Sequence, residues 1–210
     1  MRSTFRKKVK GLLVRLFIFL VIAAFCYFEN NIITISEYEI ESEKLPESFD
    51  GFVIVHLSDL HNKLFGKNQK RLIAQVKEQN PDMIVITGDM VDSMRTNIEV
   101  ALQFAKQAVK IAPCFYVTGN HEARIADYEY VELENGLVEV GVHVLRDKEV
   151  KIEKNEDWIV LAGIDDPDFE KNQGNTKVLS EDILESEVEG INKANVDKMK
   201  ELFKELSKTD

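Results

Sequence analysis

The chain has 210 residues, 44% of them hydrophobic and 30% charged, and a net charge of −10. That is ordinary globular composition, long enough for one domain with its own core and an appendage. The first 15 residues hold six basic side chains (Arg2, Arg6, Lys7, Lys8, Lys10, Arg15) and no acid; taking these from the 27 basic residues leaves 21 against 37 acidic ones, so the remainder carries −16. Such a surface argues against nucleic acid as a partner, because that affinity comes largely from neutralising phosphates.

After the basic cluster, residues 12–28 are almost continuously apolar, interrupted only by Arg15. A membrane span needs about 20 apolar residues; snorkelling by Arg15 and extension through residues 32–35 bring the segment to that length. Ala23-Ala24 is followed by the bulky Phe25, Cys26, Tyr27 and Phe28, a poor cleavage site, and Phe25 before Cys26 makes a poor lipoprotein site. An uncleaved signal anchor is therefore expected over a cleaved signal peptide or a buried soluble helix. The basic residues on its N-terminal side place the amino end in the cytoplasm, giving a single-pass protein of the cell membrane with its domain on the extracytoplasmic side. Cys26 lies in this run and Cys114 in an expected core strand, so no disulfide framework is implied.

Residues 1–30 thus read as a basic tail and transmembrane anchor, 31–50 as a linker or edge strand, and 51–210 as the main domain. In residues 30–50, Ile33, Ile35, Tyr38 and Ile40 are separated by polar residues, the alternation of a strand at a sheet's edge, which Pro46 ends. The glutamates of residues 37–47 read as a solvated face.

Three apolar runs follow, each ending in a polar cluster. Val53-Ile54-Val55-His56-Leu57 runs into Ser58-Asp59-Leu60-His61; Met83-Ile84-Val85-Ile86-Thr87 into Gly88-Asp89-Met90-Val91-Asp92; Cys114-Phe115-Tyr116-Val117-Thr118 into Gly119-Asn120-His121-Glu122. Strand periodicity puts positions i and i+2 on one side, so Asp59 and His61 are expected to converge. Between the runs, Leu72, Ile73 and Val76 share one helical face of residues 68–79, stopped by Asn80-Pro81. Ile98, Ala101, Leu102, Ala105 and Val109 share another before Pro113. The order is β-α-β-α-β, and right-handed parallel crossovers gather all three clusters at the carboxyl edge of one sheet, where open α/β sheets place ligands. Carboxylate, imidazole and amide oxygen without thiolate favour Mn, Fe or Zn.

Asp-x-His at Asp59 and His61, Gly-Asp-x-x-Asp at Gly88 to Asp92, and Gly-Asn-His-Glu at Gly119 to Glu122, in that order, resemble the calcineurin-like metallophosphoesterases, and most of all their membrane-anchored bacterial members. The resemblance covers roughly residues 48–210 and implies a four-layer α/β/β/α sandwich. It implies that Asp59 and His61 bind one divalent metal, that Asp89 bridges two, and that Asn120 binds the second through its amide oxygen. The paired cations would activate a shared water as a hydroxide that attacks phosphorus, hydrolysing a phosphodiester or phosphomonoester. His121 would serve proton transfer or charge stabilisation at the leaving oxygen, Asp92 would orient its ring, and Glu122 would support the loop. The implied substrate is a phosphorylated small molecule or lipid.

His56, whose side chain points away from Asp59, reads as structural. His143, in Gly141-Val142-His143-Val144-Leu145, reads as part of a hairpin with residues 149–152. A fifth strand, Trp158 to Gly163, ends in Ile164-Asp165-Asp166-Pro167, two aspartates that read as a turn. The family's site is completed by a histidine after a later strand and by a Gly-His-x-His turn; no histidine follows His143. A final amphipathic helix over about residues 195–206 carries Val196, Met199, Leu202, Phe203 and Leu206 on one face. Two readings follow: the carboxyl-terminal part of a longer enzyme is missing, or the chain is a metal-poor, non-catalytic membrane-tethered binding protein. A dinucleotide-binding domain is excluded, since Ser58-Asp59-Leu60-His61 is not a glycine-rich phosphate loop.

Overall fold

The computed structural model describes the backbone of residues 2–172 and the side chains of residues 10–169. The expected helix at 195–206 lies outside the described residues. The chain divides into two compact units, Met1–Ile40 and Glu41–Asp210.

In the first unit, α1 (Arg2–Asn31) is a single helix. Its stretch Lys10–Asn31, 22 residues with a mean hydropathy of 2.4, is long and apolar enough to cross a membrane. At a rise of 1.5 Å per residue that is about 33 Å, against a hydrocarbon core of about 30 Å. Its large apolar side chains are exposed on every face, from Leu12 and Phe17 to Phe25 and Phe28. The side-chain amides of Asn30 and Asn31 donate to the carbonyls of Cys26 and Tyr27, each at 2.7 Å, and satisfy last-turn acceptors. The edge strand expected over residues 30–50 is not formed. Asn30 and Asn31 belong to the helix, and Tyr38 and Ile40 are 86% and 85% exposed. Alternation licenses a strand only where a neighbouring ladder supplies hydrogen bonds, and residues 32–40 have no such partner among the described residues.

The second unit holds the sheet. β1 (Ile54–Leu57), β2 (Met83–Thr87), β3 (Cys114–Val117) and β4 (His143–Val144) lie in that order, every pair parallel. α2 (Lys70–Glu78) and α3 (Ile98–Ala108) are the first two crossovers, close to their expected limits. The third, α4 (Asp127–Val140), was not anticipated from sequence. It buries Tyr130, Leu133 and Leu137 and delivers the chain to β4 beside β3. His143 therefore does not enter a hairpin with residues 149–152: a helical crossover forces parallel pairing, and the ring stacks on Phe115 with centroids 5.0 Å apart. The hairpin is instead β5 (Lys148–Lys154) with β6 (Asp157–Gly163), antiparallel.

Alternation along the strands divides the core. Met83, Phe115 and Leu145 form a cluster against which Val150, Ile152 and Leu161 of the hairpin pack. Ile84, Ile86 and Tyr116, at the intervening positions, are buried on the other face, as are Phe104, Ala105 and Ala108 of α3 and Leu133 of α4. The described residues thus form a mixed α/β domain in which helices, parallel sheet and hairpin succeed one another. A short helix, α5 (Pro167–Asn172), follows β6.

Candidate metal centre

Each parallel strand stops before its polar cluster, so all three clusters sit in loops at the carboxyl edge of the sheet. β1 ends at Leu57, and Asp59 and His61 lie beyond it with φ of 56° and 44°. Their convergence is therefore a product of left-handed turns and not of strand alternation. Asp89 is left-handed too, at 51°. Non-glycine residues rarely occupy this region, Asp and Asn being among the better tolerated, and such conformations gather at functional sites.

The loops hold one another through their backbones. Asp59, His61 and Asn62 donate N–H to the carbonyls of Gly88, Asp89 and Met90 at 3.3, 2.9 and 3.1 Å. The third loop is tied to the second by the His121 N–H, which donates to Asp89 Oδ1 at 2.8 Å. Two glycines permit this approach. A Cβ on Gly88 would lie 2.2 Å from the Gly119 nitrogen, and one on Gly119 would lie 2.3 Å from Asp89 Oδ1.

The side chains meet in consequence. One potential ligand atom from each of His61, Asp89 and His121 lies within 4.8 Å of the other two. His61 Nε2 is 3.5 Å from Asp59 Oδ1 and 3.8 Å from Asp89 Oδ2. These separations exceed an ordinary hydrogen bond. The Asp59 side chain is 65% exposed and that of Asp89 only 13%. The His61 and His121 rings stand edge to face, 4.2 Å between centroids. Asn120 lines a cavity of about 530 Å³ together with Asp59 and Asp89. Imidazole and carboxylate donors from separate loops, with no sulfur, fit a divalent cation of the Mn, Fe or Zn type.

A family profile described as calcineurin-like phosphoesterase matches residues 52–208. The chain belongs to that family. Among relatives of this chain, a transmembrane protein with metallophosphoesterase domain from Danio rerio is 39% identical over 136 residues, covering 62% of this chain and 30% of that protein. An uncharacterized metallophosphoesterase from Aquifex aeolicus is 30% identical over 155 residues, 73% of this chain and 57% of that one. The phosphopantetheinyl hydrolase PptH from Mycobacterium tuberculosis, a solved structure, covers 53% of this chain and 41% of its own at 17% identity and a TM-score of 0.40. The chain thus spans 30% and 57% of the length of the Danio rerio and Aquifex aeolicus relatives.

Within the cluster, the surroundings of His121 are specific. Its Nδ1 accepts the Ser93 backbone N–H at 3.0 Å, so the neutral ring carries its proton on Nε2. Asp92 is not hydrogen-bonded to this ring among the described residues. Its Oδ1 accepts from the Met94 and Arg95 N–H groups at 2.8 and 3.2 Å, and these bonds, that from Met94 foremost, hold its pKa below the ordinary 3.8. Asp92 therefore shapes the turn that presents Ser93 to His121. His56 stands apart from the cluster, its Nε2 2.7 Å from Thr87 Oγ1.

Three residues matter more than their sequence suggested. Glu122 is 1% exposed and accepts four backbone N–H groups: Asp89 and Gly119 on Oε2 at 2.7 and 2.9 Å, Met90 and Val91 on Oε1 at 2.8 and 3.3 Å. Burial pushes its pKa up, while those N–H donors oppose the rise. It joins the second loop to the third. Asp165 and Asp166, expected as a turn, follow β6 in irregular backbone and line the same cavity as Asp59, Asp89 and Asn120. No local sequence signal distinguishes them from an ordinary Asp-Pro turn.

Proposed function

We propose that this protein hydrolyses phosphate esters with two divalent metal ions, of the Mn, Fe or Zn type, bound at the carboxyl edge of the parallel sheet. The observation that carries this reading is the meeting of His61, Asp89 and His121 from three separate loops with their ligand-capable atoms within 4.8 Å. Asp59 and His61 would hold one ion, Asp89 would lie between the two, and Asn120 would hold the second. When bound, such ions supply charge stabilisation at a phosphoryl oxygen and a water acidic enough to act as nucleophile near neutrality.

The remaining roles belong to side chains. His121 accepts at Nδ1 and so offers its Nε2–H to the leaving oxygen, a general-acid or charge-stabilising position. Asp92 acts on it through the Ser93 turn. Residues 51–210 would form the hydrolytic domain, α1 would cross the cell membrane once, and the domain would lie on the extracytoplasmic side, in keeping with the basic residues that precede the apolar stretch. A phosphorylated small molecule or lipid suits a site tethered at a membrane surface.

The test is hydrolysis of an aryl phosphodiester and an aryl phosphomonoester by the full chain in detergent, with Mn²⁺ or with chelator, beside Asp89→Asn. Turnover that needs metal and disappears in Asp89→Asn is expected. A folded protein that turns over neither ester in the presence of Mn²⁺ would replace this reading with the metal-poor, non-catalytic binding protein.

A further inference from the structure

The end of β6 meets the third loop of the site through side chains that neither metal binding nor proton transfer uses. Asp165 is 5% exposed and Thr118 4%. Thr118 Oγ1 donates to Asp165 Oδ1 at 2.9 Å and accepts the Asp166 backbone N–H at 3.3 Å. The hydroxyl is thus engaged as donor and acceptor, and its orientation is fixed. The other oxygen of Asp165 pairs with Arg146 Nε. The Arg146 guanidinium lies over the rings of Phe169 and Tyr130, 4.2 and 5.3 Å from their centroids, and 3.7 Å from Glu134. The backbone N–H of Asp165 donates to Asp147 Oδ1 at 3.1 Å. Gly163 closes the joint, because a Cβ there would stand 2.7 Å from Val117 Cγ1 and 2.4 Å from Leu145 Cβ.

Thr118 immediately precedes Gly119-Asn120-His121. Its side chain is therefore the anchor from which the loop bearing Asn120 and His121 departs, and the anchor is held by residues of α4, the β4–β5 connection and the end of β6. We infer that Asp165 is a positioning residue: buried between Thr118 and Arg146, it fixes the Asn120–His121 loop for metal binding. This rests on the metal reading of that loop but concerns a residue outside the ligand set. Asp166, its neighbour, contributes through its N–H, and its own Oδ1 accepts from Asp168 at 2.9 Å at the start of α5. A purely structural joint would contribute stability alone. A positioning joint contributes metal affinity as well, since outer partners of ligand-bearing groups typically change affinity about 10- to 100-fold.

The experiment uses the full chain in detergent and four variants: Asp165→Ala, Thr118→Val, Thr118→Ser and, as a control, Leu137→Ala in the core of α4. Two readouts are taken, the Mn²⁺ dissociation constant by calorimetry and backbone amide exchange at residues 119–121 in metal-free protein. Asp165→Ala and Thr118→Val are expected to weaken Mn²⁺ binding about tenfold and to speed exchange at residues 119–121. Thr118→Ser, which keeps the hydroxyl, should restore both. Leu137→Ala should lower Tm and leave both unchanged. Wild-type Mn²⁺ affinity in Thr118→Val and Asp165→Ala, or losses in the control as large as theirs, overturns the inference. Absence of Mn²⁺ binding by the wild-type protein would instead remove the metal reading, while the exchange measurement would still report whether Asp165 holds the loop.

Discussion

Glu122 Oε2 accepts the backbone N–H of Asp89 at 2.7 Å although 33 residues separate them. The same oxygen accepts Gly119 N–H, and Oε1 accepts Met90 and Val91. One buried carboxylate thereby serves four amides in two loops, and an acceptor-only group is required for that. Glu122→Gln turns one of the two oxygens into a donor facing donors. Leaving two N–H groups unpaired costs about 2 kcal/mol or more, which should lower Tm by at least about 5 °C. An unchanged melting curve would show that the clamp contributes nothing.

Gly119→Ala should weaken metal binding without unfolding the domain. Its Cβ would arrive 2.3 Å from Asp89 Oδ1 and 2.6 Å from the Asp89 nitrogen, so the proposed bridging carboxylate has to move. A Mn²⁺ titration is expected to show a loss of more than about tenfold, in line with displaced ligand geometry, with far-ultraviolet circular dichroism preserved. Retained affinity would mean that Asp89 does not bind metal in its present position.

His121→Asn should separate proton transfer from metal binding. General acid catalysis contributes about 10²- to 10⁴-fold, and its contribution grows as the leaving group becomes more basic. The loss in kcat is expected to be larger for an alkyl phosphoester than for an aryl one. Equal losses for both would place His121 among the ligands rather than at the leaving oxygen.

Asp166 gives a pH dependence with a definite sign. Burial, opposed by the Asp168 N–H, raises its folded-state pKa above the ordinary 3.8. Below 3.8 the carboxyl is protonated in both states and costs nothing. As pH rises through the folded-state pKa, the unfolded state gives up its proton first and the folded state loses stability. Asp166→Asn keeps an acceptor for the Asp168 N–H, so in chelator it should be more stable than wild type near pH 7 and equal to it near pH 3.5. Urea midpoints across that range check this; a variant less stable at neutral pH would contradict it.

Much of this protein could be read from local pattern. β1 to β3 are short apolar runs, of which β2 and β3 are largely buried while β1 stays partly exposed, α2 and α3 carry one apolar stripe each, and the clusters that follow the strands contain the residues that meet in the structure. α4 was missed although Tyr130, Leu133 and Leu137 are spaced as a helical stripe, because exposed Tyr128, Val131 and Val138 blur the periodicity. Without α4, the placement of His143 was misread.

The sequence by itself determined which chemical groups are available and that three parallel strands would bring them to one edge, since the 3.6- and two-residue periods are properties of the chain alone. Only the tertiary structure decided how they meet. The left-handed turns at Asp59, His61 and Asp89, the proton position on His121, the four amides on Glu122 and the Arg146–Asp165–Thr118 joint all depend on contacts between segments tens of residues apart. A carboxylate's partner, and so its role, is set by which distant backbone is packed against it, and no local pattern encodes that.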